Sequence, residues 1–211
     1  MIDVVTMRFG SKYGPEYVNR LYGGVMRNLS TPFRFWCFTD DAAAYKNGIN
    51  VIVAKDLGGW WNHLYAFSGW TVERQLLIDV DDVVVGSLDD LAAYDGPHAL
   101  NSDVYRPQNV DGGCQVIPVD ANRALYDEFV QTPKAITAHY CSDKEYYIDR
   151  INDAPRLDVL FPGQWVSYKV QCGNGVPPGA RIVGFHGQPK PSDLPADHPI
   201  RKIWEKGGNY A

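Results

Sequence analysis

The stretch Gln75-Leu76-Leu77-Ile78-Asp79-Val80 constrains this chain most, because it sets an apolar run directly against a group of carboxylates. A short, mostly apolar run without alternation reads as a strand covered on both faces. Such a strand needs a sheet sandwiched between two other layers. The acidic residues Asp79, Asp81 and Asp82 then fall where the strand ends, and in open α/β sheets ligands gather beyond the carboxyl ends of strands.

The remaining pattern supports that layered reading. Ile2 to Met7 predicts a first buried strand, followed by the polar, Gly-containing loop Arg8 to Gly14. Pro15 suits the first position of a helix. Tyr17, Val18, Leu21, Tyr22, Val25, Met26 and Leu29 then repeat on one helical face until Ser30-Thr31-Pro32 stops it. Phe33 to Phe38 and Asn50 to Ala54 predict two more strands, the first running into Thr39-Asp40-Asp41. Trp60 to Phe67 predicts an aromatic helix, Val83 to Val85 a β-branched run, and His98 to Asp103 and Gln115 to Val119 further strands. Asp120 is expected to cap a helix reaching Gln131, and Asp143 to open another reaching Asn152. Arg181 to Phe185 predicts a late strand, His186 to Pro191 a loop kept irregular by Pro and Gly, and Ile200 to Lys206 a closing helix. Strands alternating with helices predict an α/β class with a mixed, mostly parallel central sheet, and residues 1–211 as a single domain.

Composition narrows the function. At 211 residues with 45% hydrophobic and 21% charged residues, the chain can bury a sizeable core. Its net charge of −5 argues against tight non-specific binding of duplex nucleic acid, which needs clustered Lys and Arg. No apolar stretch reaches the length of a membrane span, and the N-terminus lacks the basic and apolar regions of a signal peptide, so a cytoplasmic location is expected. None of Cys37, Cys114, Cys141 and Cys172 forms a CxxC pair, which argues against a zinc ribbon and leaves reduced, partly buried thiols. Phosphate-loop, HExxH and G-x-S-x-G signatures are absent.

The acidic strand end carries the chemistry. Like charges crowded together repel and are disfavoured without a cation. Carboxylates spaced i, i+2 on an extended turn can share a divalent ion, and oxygen ligands suit Mg²⁺ or Mn²⁺. A bare Asp-x-Asp says little in an Asp-rich chain; its place behind a buried strand is what gives it weight.

Four ordered segments add a resemblance. Leu76 to Leu88 looks like the DxD segment of GT-A-fold glycosyltransferases, among them bacterial and phage sequences related to the family-eight enzymes. Lys12-Tyr13-Gly14-Pro15 through Tyr22 resembles their first loop and helix, and Phe38-Thr39-Asp40-Asp41 their second strand end. Phe185-His186-Gly187-Gln188-Pro189-Lys190-Pro191 resembles their C-terminal His-Gly-x-Pro-Lys-Pro loop. The resemblance implies a metal-dependent hexosyltransferase that takes a nucleotide-sugar donor, by default a UDP-hexose. Asp79, Asp81 and His186 would hold Mn²⁺ or Mg²⁺, with Asp81 the direct ligand and Asp82 only a neighbour. Thr6, Met7, Arg8, Asp40 and Asp79 would line the nucleotide and ribose pocket, and Gly187 and Lys190 would face the diphosphate.

Three segments depart from the family pattern, one of them Val110-Asp111-Gly112-Gly113, which stands where relatives often carry Asn-Ser on the acceptor side. Trp60-Trp61-Asn62-His63 carries His63 where relatives usually have Lys, and Ser142-Asp143-Lys144 replaces Gly-Asp-Gln. Asp143 is kept as the candidate catalytic residue near the anomeric carbon. With inversion it would take the acceptor proton; with retention, which the resemblance favours, attack comes from the leaving-group side. The acceptor stays open between a glycan, a protein and a modified nucleic-acid base. A non-catalytic nucleotide-sugar-binding module and a sugar-phosphate nucleotidyltransferase are the alternatives, although Arg8-Phe9-Gly10-Ser11-Lys12 is poor in glycine for the second.

Overall fold

A computed structural model describes residues 1–42 and 45–209. In chain order the strands are β1 (Ile2–Arg8), β2 (Phe33–Thr39), β3 (Ile49–Val53), β4 (Gln75–Ile78), β5 (Val83–Val84), β6 (Ala99–Ser102), β7 (Val110–Ile117), β8 (Trp165–Ser167) and β9 (Ile182–Gly184). The helices are α1 (Pro15–Asn28), α2 (Asp89–Ala93), α3 (Arg123–Gln131), α4 (Pro133–His139), α5 (Asp143–Ile151), α6 (Leu157–Leu160), α7 (Tyr168–Gln171) and α8 (Pro199–Lys206). Six strands form one sheet in the order β3-β2-β1-β4-β7-β6, and β5-β9-β8 form a small second sheet.

In the large sheet, β1 pairs in parallel with β2 and β4, and β2 with β3, while β7 runs antiparallel to both β4 and β6. The sheet is therefore mixed and mostly parallel, as expected. The apolar runs of β1 and β4 are buried on both faces. Val4, Leu76 and Ile78 join α1, β5, β9 and α8 in one core; Val5, Met7 and Leu77 join α3, α5 and the aromatic segment in another. Alternate side chains of a strand point to opposite faces, so a strand covered on both is mostly apolar, and the carboxylate that β1 buries, Asp3, is paired with Arg34 and Trp36.

Several boundaries differ from expectation for local reasons. β4 stops at Ile78, because Asp82 N–H donates to Asp79 O at 3.0 Å and closes a tight turn over Asp79-Val80-Asp81-Asp82. Gly59–Phe67 is a 3₁₀ helix, and Trp60 is 62% exposed while Trp61 stacks on Phe129 in the core. β7 begins at Val110, five residues before the expected start at Gln115. Asp120 does not cap α3; Asp120 and Asn122 both take φ of 56°, a left-handed conformation that short polar residues tolerate, and the helix starts at Arg123. The N-cap of α5 is Ser142, whose side chain accepts from Glu145 N–H, so Asp143 is released for other contacts.

His98, just ahead of β6, shows how tightly the sheet margin is wired. Its Nε2 lies 2.8 Å from Gln115 Oε1 and its Nδ1 2.7 Å from Asn122 Nδ2. Gln115 Nε2 donates to Gly112 O, which fixes Oε1 as the acceptor facing the imidazole. The neutral ring with its proton on Nε2 satisfies both partners; a second proton on Nδ1 would face the Asn122 amide donors. Burial accordingly pushes the His98 pKa down from 6.5 to about 4. The unfolded chain then binds this proton more readily than the folded one. Stability is complete above the ordinary imidazole pKa and should fall by about 3 kcal/mol as pH drops from about 6.5 to about 4. Urea unfolding across that range checks it: His98→Gln should flatten the slope, and an unchanged slope would refute the assignment.

Candidate active site

Parallel pairing delivers the carboxyl ends of β1, β2 and β4 to one edge of the large sheet. Antiparallel β7 delivers its own N-terminal residues to the same edge, with Asp79 N–H donating to Gly113 O at 2.9 Å. A cavity of about 740 Å³ opens there, inside the range of small-molecule sites. Asp79, Asp81, Asp143, His186, Gly187 and Lys190 all line it, as do His63, Tyr13 and Lys144. Residues from the strand-end turn, the start of α5 and the loop after β9 thus converge on one space.

Asp81 is 5% exposed and already engaged. Its Oδ2 accepts from the Tyr13 hydroxyl at 2.8 Å and from Lys190 Nζ, which also donates to Phe185 O at 3.0 Å. Burial raises the Asp81 pKa, Asp79 adds to this, and Lys190 opposes it. Tyr13 is pushed upward by burial and by Asp81, so its hydroxyl stays a donor. Asp82 is more deeply structural. It accepts from Phe185 N–H at 3.1 Å and Trp165 Nε1 at 3.3 Å, tying the turn to β9 and β8. Burial, then Asp79 and Asp81, hold its carboxyl well above the usual range.

Asp79 and Asp143 meet through His63. His63 Nε2 lies 2.9 Å from Asp79 Oδ1, and Nδ1 lies 2.8 Å from Asp143 Oδ2. Burial works to lower the His63 pKa, but the two carboxylates outweigh it and raise the value well above its ordinary one. A basic side chain between two carboxylates therefore occupies the position where the resembling family usually has Lys. Beside this group, Lys144 pairs with Asp103 and lies 3.6 Å from Asp111.

The expected metal ligands do not assemble into a shell. Among the described residues, no three His, Cys, Asp or Glu side chains converge as a metal site would require. His186 Nε2 instead meets Ser167 Oγ at 2.7 Å, and its ring sits edge-on to Tyr105. The physical reason is competition for the carboxylates: Asp81 is engaged by Lys190 and Asp79 by His63, while Asp82 accepts from Phe185 N–H and Trp165 Nε1. The donor set still fits a hard divalent ion in kind, since two carboxylates and an imidazole face one cavity. Burial, reinforced by Lys169 and Lys190, lowers the His186 pKa and favours the neutral ring that a metal needs.

The nucleotide-pocket residues divide. Met7 and Gly187 line the cavity. Thr6 is fully buried in β1, with its hydroxyl unpartnered among the described residues, and does not line the cavity. Arg8 donates from Nε to Tyr13 O at 2.9 Å and lies 3.9 Å from Asp40. Asp40 accepts from Gly10 N–H at 3.0 Å, and neither it nor Arg8 lines the cavity. Strand alternation explains this: neighbouring residues of β1 point to opposite faces, so Met7 cannot face the cavity together with Thr6 and Arg8. Tyr13 and Asp103 were not singled out, and His63, Lys144 and Asp111 entered only as departures from the family pattern. The usable signal for His63 was its position, which in the resembling family carries a cation.

No protein-family model matches the chain, and no curated protein does. Solved structures do. The glycosyltransferase GlyE of Streptococcus pneumoniae TIGR4 superposes with a TM-score of 0.69 at 15% identity, over 100% of this chain and 62% of that one. Its apo form gives 0.68 at 15% identity, over 99% and 60%. An active-site mutant of LgtC gives 0.64 at 13% identity, over 98% and 95%. The chain thus has the GT-A fold that these glycosyltransferases share, and spans about three-fifths of the length of GlyE.

Proposed function

We propose that this chain, acting as one unit over residues 1–211, transfers a sugar from a nucleotide-sugar donor, by resemblance a UDP-hexose, to an acceptor hydroxyl. The observation that carries the proposal is the convergence of Asp79, Asp81, Asp143, His186 and Lys190 on one cavity at the strand-end edge of a GT-A sheet. In glycosyl transfer the leaving diphosphate gains charge while the sugar becomes oxocarbenium-like. Lys190 supplies a compact positive charge close to the diphosphate. Asp143 stands by the anomeric carbon, as a base under inversion or as a stabilising carboxylate under retention. Asp79, Asp81 and His186 would hold Mn²⁺ or Mg²⁺, which supplies Lewis-acid neutralisation of the diphosphate. The acceptor is a glycan, a protein or a modified nucleic-acid base. No described helix is long and apolar enough to cross a membrane.

A panel of nucleotide sugars, measured by calorimetry with and without Mn²⁺ and followed by product analysis, tests the reading. Binding of one UDP-sugar, with release of nucleoside diphosphate once acceptor is present, is expected. Pyrophosphate release would favour a nucleotidyltransferase, and binding without turnover across many acceptors would favour a binding module. EDTA should abolish transfer until Mn²⁺ or Mg²⁺ is restored; full activity in EDTA would remove the ion from the reaction.

A further inference from the structure

We propose that His63 is a positioning residue, a two-ended clamp that fixes the Asp79 and Asp143 carboxylates relative to each other through its two ring nitrogens. The inference rests on the glycosyl-transfer reading above and specifies how its sugar-facing carboxylates are held.

Three elements distant in sequence meet at this ring. Asp79 directly follows β4, Asp143 opens α5, and His63 lies on the 3₁₀ helix between β3 and β4. The contacts of 2.9 Å and 2.8 Å use both nitrogens, so the planar ring sets the carboxylate separation with only two side-chain torsions left to fix. Those torsions are constrained, because the His63 side chain is only 13% exposed. The segment around it is pinned too: Asn62 accepts from Leu57 N–H and donates to Asp56 and to Gly59 O, and Leu64 is fully buried. The far ends are equally held. Asp143 Oδ1 accepts from Lys144 N–H at 2.8 Å, and Asp79 N–H is anchored on Gly113 O.

Two glycines supply independent support. A Cβ on Gly113 would come 2.9 Å from Asp79 Oδ2, and one on Gly112 would come 2.9 Å from the Tyr147 ring and 3.5 Å from Asp143 Oδ2. Any larger residue at Gly113 would push Asp79 off its place on the imidazole. The backbone is thus cut back where the clamp needs room, as expected for a preorganised site built on rigid elements.

The test uses the full chain with His63→Ala and His63→Lys. His63→Ala should lower kcat about 100-fold while donor KM moves less than about threefold, since loosened positioning acts on the transition state rather than on uniform binding. An ammonium can also donate to two carboxylates, so His63→Lys should recover to within about tenfold of the parent. Free imidazole should partly restore His63→Ala in a saturable way, which a purely structural role would not allow. A kcat for His63→Ala within about threefold of the parent, or no recovery with either Lys or imidazole, would overturn the clamp. A second arm needs no substrate. Asp143→Asn should lower the melting temperature when His63 is present, and raise it in the His63→Ala background, where it removes one of two unpaired carboxylates. Equal shifts in both backgrounds would also overturn the clamp. If the parent protein turns over no donor, the transfer reading fails, and the melting cycle still decides the role of His63.

Discussion

Asp81→Asn is expected to reduce transfer by roughly 10²–10³-fold and to destabilise the fold at the same time. Asp81 is a buried carboxylate whose Oδ2 receives both Tyr13 and Lys190. Lys190 is itself 7% exposed, and without that charge it keeps Phe185 O and the face of the Tyr13 ring as partners among the described residues. Breaking a buried ion pair by removing one partner leaves an uncompensated charge and costs about 3 kcal/mol. The lysine can recover part of that by turning into the cavity, but it then leaves the place from which, on the proposed reaction, it would meet the diphosphate. Urea unfolding and initial rates check both effects. Adding Lys190→Met to Asp81→Asn should recover much of the stability and none of the activity, because the orphaned cation is gone while the site stays incomplete. An unchanged unfolding midpoint in the single variant would show that the Lys190–Asp81 pair is not formed in solution.

Asp143→Asn should lower kcat by about 10²–10⁴-fold while donor affinity changes little. The residue is buried at the first position of α5, its two oxygens committed to His63 and to Lys144 N–H. Asparagine keeps the size and one acceptor oxygen, so the helix start should persist, with Ser142 still capping it. On the proposed reaction, what is lost is the negative charge that would face the reacting sugar, and with it the ability to accept a proton or to oppose positive charge at the anomeric carbon. Calorimetry with the donor, beside kcat and KM for the same variant, separates these outcomes. A full loss of donor binding, with kcat unaffected at saturation, would move Asp143 from chemistry to recognition.

Much of the framework was legible in the residues. The continuous apolar run at Leu76 to Ile78 could only be a strand covered on both sides, and it is. The 3.6-residue repeat after Pro15 gave α1 to within a residue, because burial of one helical face is written into local spacing. The placing of Asp79 and Asp81 at the carboxyl end of β4 followed from the residue pattern, whereas the arrival of the late His-Gly loop at the same cavity was implied only by the family resemblance. Placement within a strand was less legible. Thr6, Arg8 and Asp40 were grouped with Met7 because the resemblance implies a nucleotide pocket at these strand-end positions, and of the four Met7 alone lines the cavity.

By itself the sequence determined the layered α/β class, the buried central strands and the acidic edge, because each depends on patterns repeating over two to four residues. Only the tertiary structure decided which charge pairs with which. His63 reaches Asp143 across 80 positions, and Lys190 reaches Asp81 across 109. Antiparallel β7 places Gly113 beside Asp79 through a register that no local pattern encodes. Carboxylates crowded at a sheet edge will take whatever cation the fold brings within reach, and that reach is set by how distant elements pack.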